Sequence, residues 1–418
     1  MTTMTLARPH PRPTQSSGAT LDWLNFFLAD VRDGLGPYLA IYLLAVRGPR
    51  HGWNEATVGV TLTIAGIVGL LSQVPAGALI DRARNKPALV IIAALLVTAS
   101  SVSLPFVHGR TLVTMTQAVA AASGAVFAPA ITAITLGLVG TRAFAGRVGR
   151  NEAFNHAGNA VSAALAGALA WRYGPEVVFW LMGGLTVASV AVALRIDNRA
   201  IDNDVARGLD CQDGADADCE QPSGWRMLVE NRALLLFAAV AFLFHLANAA
   251  MLTSVSQLLT RTAGKDSATS LTAACIVAAQ LVMVPMAVLV GRRVDRWGTK
   301  PIFLAAFAVL AARGALYTFS NDPWWLVGVQ ALDGVGAGIF GALFPVVIAD
   351  LTRGSGRFNV AQGAVATAQG LGAALSATLA GTIIVMTSYI MAFLALAVIA
   401  AAGLGLYWIA MPETRASK

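Results

Sequence analysis

The chain has 418 residues, of which 56% are hydrophobic and only 12% charged. A soluble domain carries about 25% charged and 45–50% apolar residues, so a soluble enzyme, a nucleic-acid binder and a secreted disulfide scaffold are all excluded. The net charge of +7 lies mainly in connections between apolar runs, where basic residues orient membrane helices; it does not mark a nucleic-acid partner.

Residues 1–20 are polar, include Pro9, Pro11 and Pro13, and lack the apolar core of a signal peptide. They read as a disordered cytoplasmic tail. Apolar runs then follow at about 21–46, 55–79, 88–107, 112–139, 151–172, 177–195, 232–259, 267–290, 301–320, 325–349, 359–386 and 388–410. Hydrocarbon offers no water to the backbone, so runs of this length are predicted to be helices. The expected fold is an all-α membrane protein with 12 transmembrane helices. An N-terminal six-helix bundle (21–195) and a C-terminal one (232–410) would be joined by 196–231 and followed by a short tail, 411–418. The 196–231 segment carries Asp197, Asp202, Asp204, Asp210, Asp213, Asp216, Asp218 and Glu220, the composition of a solvated cytoplasmic linker. Cys211 and Cys219 within it are spaced too widely for a short zinc knuckle, so no metal site is expected.

With the N-terminus inside, cytoplasmic segments hold 21 of the 29 Lys and Arg residues and external segments hold 6. That excess predicts both termini in the cytoplasm. The halves also repeat: Gly77, Asp81, Arg82, Lys86 and Pro87 recur as Gly291, Asp295, Arg296, Lys300 and Pro301, each displaced by 214 positions, as are Gly158/Gly372 and Gly167/Gly381. A duplicated six-helix unit predicts two pseudo-symmetric bundles with a site near mid-membrane.

The loops Gly77-Ala-Leu-Ile-Asp81-Arg82-Ala-Arg-Asn-Lys86 and Gly291-Arg-Arg-Val-Asp295-Arg296-Trp-Gly-Thr-Lys300 fit the Gly-x-x-x-Asp-Arg signature of the major facilitator superfamily (MFS), which the chain resembles over about residues 20–410. Arg84 stands where the signature usually has Gly. The resemblance implies the MFS fold, a bacterial inner-membrane location and a monomer. Physically, Asp81 and Asp295 sit where helices end, and a carboxylate there can cap a neighbouring helix or pair with an Arg. The eight loop residues Gly77, Asp81, Arg82, Lys86, Gly291, Asp295, Arg296 and Lys300 are therefore read as a conformational latch. Two other family signatures are missing. Gln117 occupies the position twelve before Pro129 where proton-coupled members carry Arg, and Gly158–Gly167 lacks the Gly-Pro of exporters.

Asp30, Arg32 and Asp33 fall inside the first span, ahead of Gly34, Gly36 and Pro37. Asp30 lies roughly 13 Å from the cytoplasmic end at 1.5 Å per residue, and each such charge costs about 2.5–3.5 kcal/mol. Alignment of Phe27 with Phe242 brings Asp30 to His245 and Asp33 to Asn248. These four line the predicted cavity, with Asp30, Asp33 and His245 exchanging protons; a static buried ion pair of Asp33, with Arg32 or with a partner the sequence does not reveal, is the alternative. Glu152, Asn155 and Asn159 form one helical stripe, and Gln117 and Asp333 complete the candidates. Arg313 is a possible partner of Asp333.

No catalytic elbow, phosphate loop or zincin motif is present, so neither an enzyme activity nor a cofactor is expected. The resulting reading is a proton-coupled secondary transporter working by alternating access and exporting small drug-like or metabolite solutes, with lipid as its surroundings. Proton-coupled uptake of an organic acid or metal chelate is the alternative. A non-transporting receptor is the third class.

Overall fold

A computed structural model describes residues 15–33, 39, 42–43, 53–173, 176–209, 226–263 and 265–415. Its helices in chain order are α1 (Gln15–Asp33), α2 (Glu55–Arg82), α3 (Lys86–Val102), α4 (Arg110–Gly124), α5 (Phe127–Tyr173), α6 (Val177–Ala193), α7 (Asn203–Ala206), α8 (Met227–Glu230), α9 (Arg232–Ala263), α10 (Lys265–Trp297), α11 (Thr299–Leu316), α12 (Pro323–Leu351), α13 (Phe358–Met386) and α14 (Tyr389–Ala410). The protein is a multi-pass membrane protein, all-helical among the described residues, where eight helical segments are long and apolar enough to cross a membrane and α3 and α6 are shorter apolar helices; this is consistent with the twelve spans that the apolar runs predict. α5 carries the end of the fourth span and all of the fifth. The break between them is Gly140, whose φ of 70° is readily adopted only without a Cβ. The first span is described as helix to Asp33.

Local sequence accounts for several helix starts. Asn54 forms a capping box with Thr57 on α2, its Oδ1 accepting the Thr57 N–H at 3.0 Å. Asn85 caps α3, Asn231 caps α9, Asp322 caps α12 and Ser388 caps α14, each accepting a backbone N–H of the first turn. These side chains satisfy donors that have no partner within the helix. α11 and α13 lack such local caps and are capped from elsewhere in the chain.

The chain forms two compact units. One comprises Met1–Arg147, Leu165–Glu230 and Ile348–Gly363; the other comprises Val148–Ala164, Asn231–Val347 and Ala364–Lys418. In the first, α1 and α3 both pack on α6. In the second, α9 and α11 both pack on α14. Counted as spans, the first and third against the sixth match the seventh and ninth against the twelfth, so the repeat read from sequence is present in the packing. Faces turned outward remain apolar, as at Leu71 (72% exposed) and Ile409 (83%), because acyl chains are the surrounding solvent.

The acidic linker differs from expectation. Residues 197–209 are folded: a 3-10 turn at Asn198–Ala200 precedes α7, and Ile201, Ala206 and Leu209 are buried. Backbone bonds tie this stretch down, from Asp202 N to Gly137 O at 3.1 Å, Gly354 N to Gly208 O at 2.7 Å and Phe358 N to Arg207 O at 3.1 Å. Three apolar side chains spaced through an otherwise polar stretch supply its buried face. Cys211, Cys219 and the acids from Asp210 to Glu220 lie outside the described residues.

Candidate substrate, coupling and latch sites

At the end of α2, within the first unit, Asp81 is buried. Its Oδ1 accepts the Asn359 backbone N–H at 3.2 Å and the Asn359 side-chain N–H at 2.8 Å, and its Oδ2 accepts the Val360 N–H at 3.1 Å. These donors are the first turn of α13, so Asp81 supplies both the acceptor and the negative charge that a helix start favours. Gly77 makes the approach possible, since a Cβ there would run into the Asn359–Val360 backbone. One turn further along α13, Gly363 lies as tightly on the backbone of Gln73. Asn359 also donates to Ala206 O at 3.1 Å. Arg82 is exposed. Lys86 is fully buried, its Nζ donating to Asn203 Oδ1 at 2.7 Å and to Ala83 O at 2.9 Å.

The duplicated loop is built differently in the second unit. Gly291 is buried, and Gly149 packs against it so closely that a Cβ on Gly149 would meet the Ala287 carbonyl and the Gly291 backbone. Gly149 is the counterpart of Gly363 under the 214-residue displacement, so the small-residue contact is shared. The carboxylate is not: Asp295 is 54% exposed at its side chain and pairs with Arg415. Arg296 is exposed and Lys300 half-buried. Glu413 instead caps α11, accepting Thr299 N at 2.8 Å, Thr299 Oγ1 at 2.6 Å and Lys300 N at 3.0 Å. Burial alone would raise the Glu413 carboxyl. The hydrogen bonds from Thr299, Arg415 and Lys300 outweigh it and hold the group below its ordinary value.

Among the intramembrane charges, Asp30 and Arg32 are half-buried in α1. Asp33 ends that helix, and its side chain lies outside the described residues. Within the second unit, Arg313 is 1% exposed and forms an ion pair with Asp333. It also donates to Asn248 Oδ1 at 2.5 Å, and its Nη2 lies 3.0 Å from Met251 Sδ. Gln330 donates to Asp333 Oδ2 at 3.3 Å and accepts the Tyr317 hydroxyl. Three spans, α9, α11 and α12, thus meet at one hydrogen-bonded cluster, as burial of a charge requires. His245 sits one turn before Asn248, its Nδ1 3.0 Å from Ala241 O and its ring edge-on to Phe340.

On α5, Asn155 donates to Glu152 Oε2 at 3.3 Å, and Gly341 of α12 leaves room beside that carboxylate. Asn159 is half-buried two turns on. Gln117 is buried in α4, with Thr116 Oγ1 3.5 Å from its Nε2. Sequence reasoning missed Asp22, which forms a buried pair with Arg147 at 2.5 Å and joins α1 to α5. It also missed Asn359, Glu413 and the His156–Gln280 hydrogen bond of 2.9 Å. Asp22 lies at the start of the first apolar run and Glu413 just beyond the last helix, where both look like ordinary interface acids, so only their partners distinguish them. Among the described residues, no group of His, Cys, Asp and Glu is arranged to hold a metal ion.

The family model of the Major Facilitator Superfamily matches residues 21–302 and 267–418. An uncharacterised MFS-type transporter of Mycobacterium tuberculosis, found in strains CDC 1551 and H37Rv, is 54% identical over 394 residues, covering 94% of this chain and 93% of the relative. Among solved structures, the fold is similar to FucP, an MFS transporter in the outward conformation (TM-score 0.73, 15% identity, 94% and 97% of the two chains). It is also similar to the human organic anion transporter MFSD10 (TM-score 0.69, 15% identity, 96% and 100%) and to the proton:xylose symporter XylE (TM-score 0.70, 13% identity, 96% and 96%).

Proposed function

Since the chain belongs to the major facilitator superfamily, we propose that it carries a small organic solute by alternating access, coupled to protons, and that it works as an exporter in a bacterial inner membrane. The observation that carries proton coupling is the set of ionisable groups placed in apolar helices: Asp30 in α1 and the Arg313–Asp333 pair, with Asn248 hydrogen-bonded to Arg313. Each would be expensive in hydrocarbon without a use. Asp30, Asp33 and His245 exchange protons in this reading. Gln117, Glu152, Asn155 and Asn159 meet the solute, and Asp333 holds Arg313. XylE is named as a proton symporter, so a proton-coupled chemistry is compatible with the fold.

The Asp81 cap on α13 is the latch: it holds in one state and opens in the other, because three N–H donors on one carboxylate form or break together. Asp295 pairs with Arg415 in the state described and is the second half of that latch. Export is the direction favoured by the acid four residues before Pro37 in the first span, a spacing similar to that of multidrug/proton antiporters. The proposal includes a monomer, as the family suggests, with both termini in the cytoplasm, a placement that the Lys/Arg count supports.

The test is flux in proteoliposomes with an imposed pH gradient across a solute panel, wild type beside Asp30→Asn and Asp33→Asn. Proton-driven expulsion that loses its pH dependence in the variants supports the reading. Wild-type pH dependence in both variants sinks the proton site. Accumulation along the proton gradient sinks export, and the absence of flux for every solute sinks transport.

A further inference from the structure

A cavity of about 380 Å³ opens beside the Asp81 cap, lined by Asp81, Arg82, Arg84, Arg207, Gly356 and Arg357. Its volume falls at the lower end of small-molecule sites, and four guanidinium groups face it against one carboxylate. That carboxylate is already engaged, both oxygens accepting N–H donors from Asn359 and Val360. Arg207 gives one Nη2 hydrogen bond of 2.5 Å to Asp204, and its Nε has no acceptor. Gly356, at φ +63°, forms part of the wall without a side chain. Even with Asp204 paired to Arg207, the guanidinium groups outnumber the carboxylates beside them, like charges gathered in this way repel, and planar guanidinium groups match phosphate oxygens in pairs.

We propose that this basin binds a phosphate group, whether free phosphate or the headgroup of an anionic lipid. A second feature leads to it from the membrane. Ile67 (51% exposed), Leu71 (72%) and Leu79 (48%) lie on the outward face of α2 with Pro75 between them. That stripe, spaced by four, ends three residues before Arg82. An acyl chain along it delivers its headgroup to the arginines. Binding is independent of any transport activity.

Full-length protein, delipidated in detergent, is offered phosphatidylglycerol or phosphatidylcholine, and retained lipid is counted by native mass spectrometry. Inorganic phosphate is titrated separately against thermal unfolding. Arg84→Gln/Arg357→Gln is compared with Arg292→Gln/Arg293→Gln, which removes equal charge from the duplicated loop. An interfacial arginine contributes roughly fivefold to anionic-lipid affinity, so the first double variant should lose about 25-fold in phosphatidylglycerol affinity while the second keeps its own. Preferential retention of phosphatidylglycerol, with competition by phosphate, identifies the lipid source. A phosphate shift without lipid preference identifies the free anion. Equal retention of both lipids with no phosphate shift, or equal losses in the two double variants, overturns the proposal.

Discussion

Asp81 and Asn359, 278 positions apart in the chain, are joined twice: one carboxylate oxygen accepts both the backbone and the side-chain N–H of Asn359, at 3.2 and 2.8 Å. The duplicated Asp295 makes no comparable cap; it is half exposed and pairs with Arg415. Two residues alike in sequence therefore have different worth. Asp81→Asn replaces one accepting oxygen with an NH2 group, which must then face a backbone N–H of Asn359 or Val360, and removes the charge. It should cost about 1–2 kcal/mol. Asp295→Asn should cost less than about 1 kcal/mol, as for an exposed pair. Chemical unfolding of the two variants in one detergent checks the asymmetry; equal losses would refute it.

Glycines in the signature loop of the first half and on the helices that pack against the two loops are under steric control. Gly77→Ala, Gly149→Ala and Gly363→Ala each push a Cβ into backbone of a neighbouring helix, which does not yield as a side-chain tip would. Each should lose about 1–3 kcal/mol. Gly381→Ala has open space around it and should be neutral or gain up to about 1 kcal/mol from helix propensity. Melting temperatures across the four variants give the comparison.

Arg313 and Asp333 are a buried pair, so the single changes should be worse than the joint one. Asp333→Leu leaves a guanidinium that is 1% exposed without its counter-ion and should cost about 3–5 kcal/mol. Arg313→Met with Asp333→Leu removes both charges and should recover most of that loss. A double-mutant cycle on unfolding free energies measures the coupling, and additivity would show that the pair is not coupled.

Glu413 gives a pH signature outside the membrane. Its folded-state pKa lies below the ordinary value of 4.5, so its contribution is present above that value and is lost as pH falls through the folded one. Wild type should exceed Glu413→Gln in thermal stability at neutral pH. The two should converge progressively as pH drops below 4.5. The side chain is largely exposed, which makes the difference small. A gap that is unchanged in acid would show that the charge does not contribute.

Much of the fold was legible because hydrocarbon enforces it. Every backbone group within a span must bond inside its own helix, so apolar length alone located the spans. The same argument failed at 197–209, where Ile201, Ala206 and Leu209 bury against neighbours although the composition is that of a solvated linker. It also could not separate Asp81 from Asp295. Arg313 was readable as an intramembrane charge with Asp333 as a possible partner, whereas Asn248 and Met251 joined it only through packing of α9 against α11.

By itself the sequence determined a twelve-helix membrane protein built from a repeat and its membership of the superfamily, because apolar run lengths and a charged motif repeated at one offset survive without knowledge of any contact. Only the tertiary structure decided which carboxylate caps which helix. Every helix start presents unpaired N–H groups, and any acid within about 3 Å can satisfy them. Asp81 reaches α13, Glu413 reaches α11 and Asp295 reaches neither, because that distance depends on how closely the helices are packed and not on the local residue order.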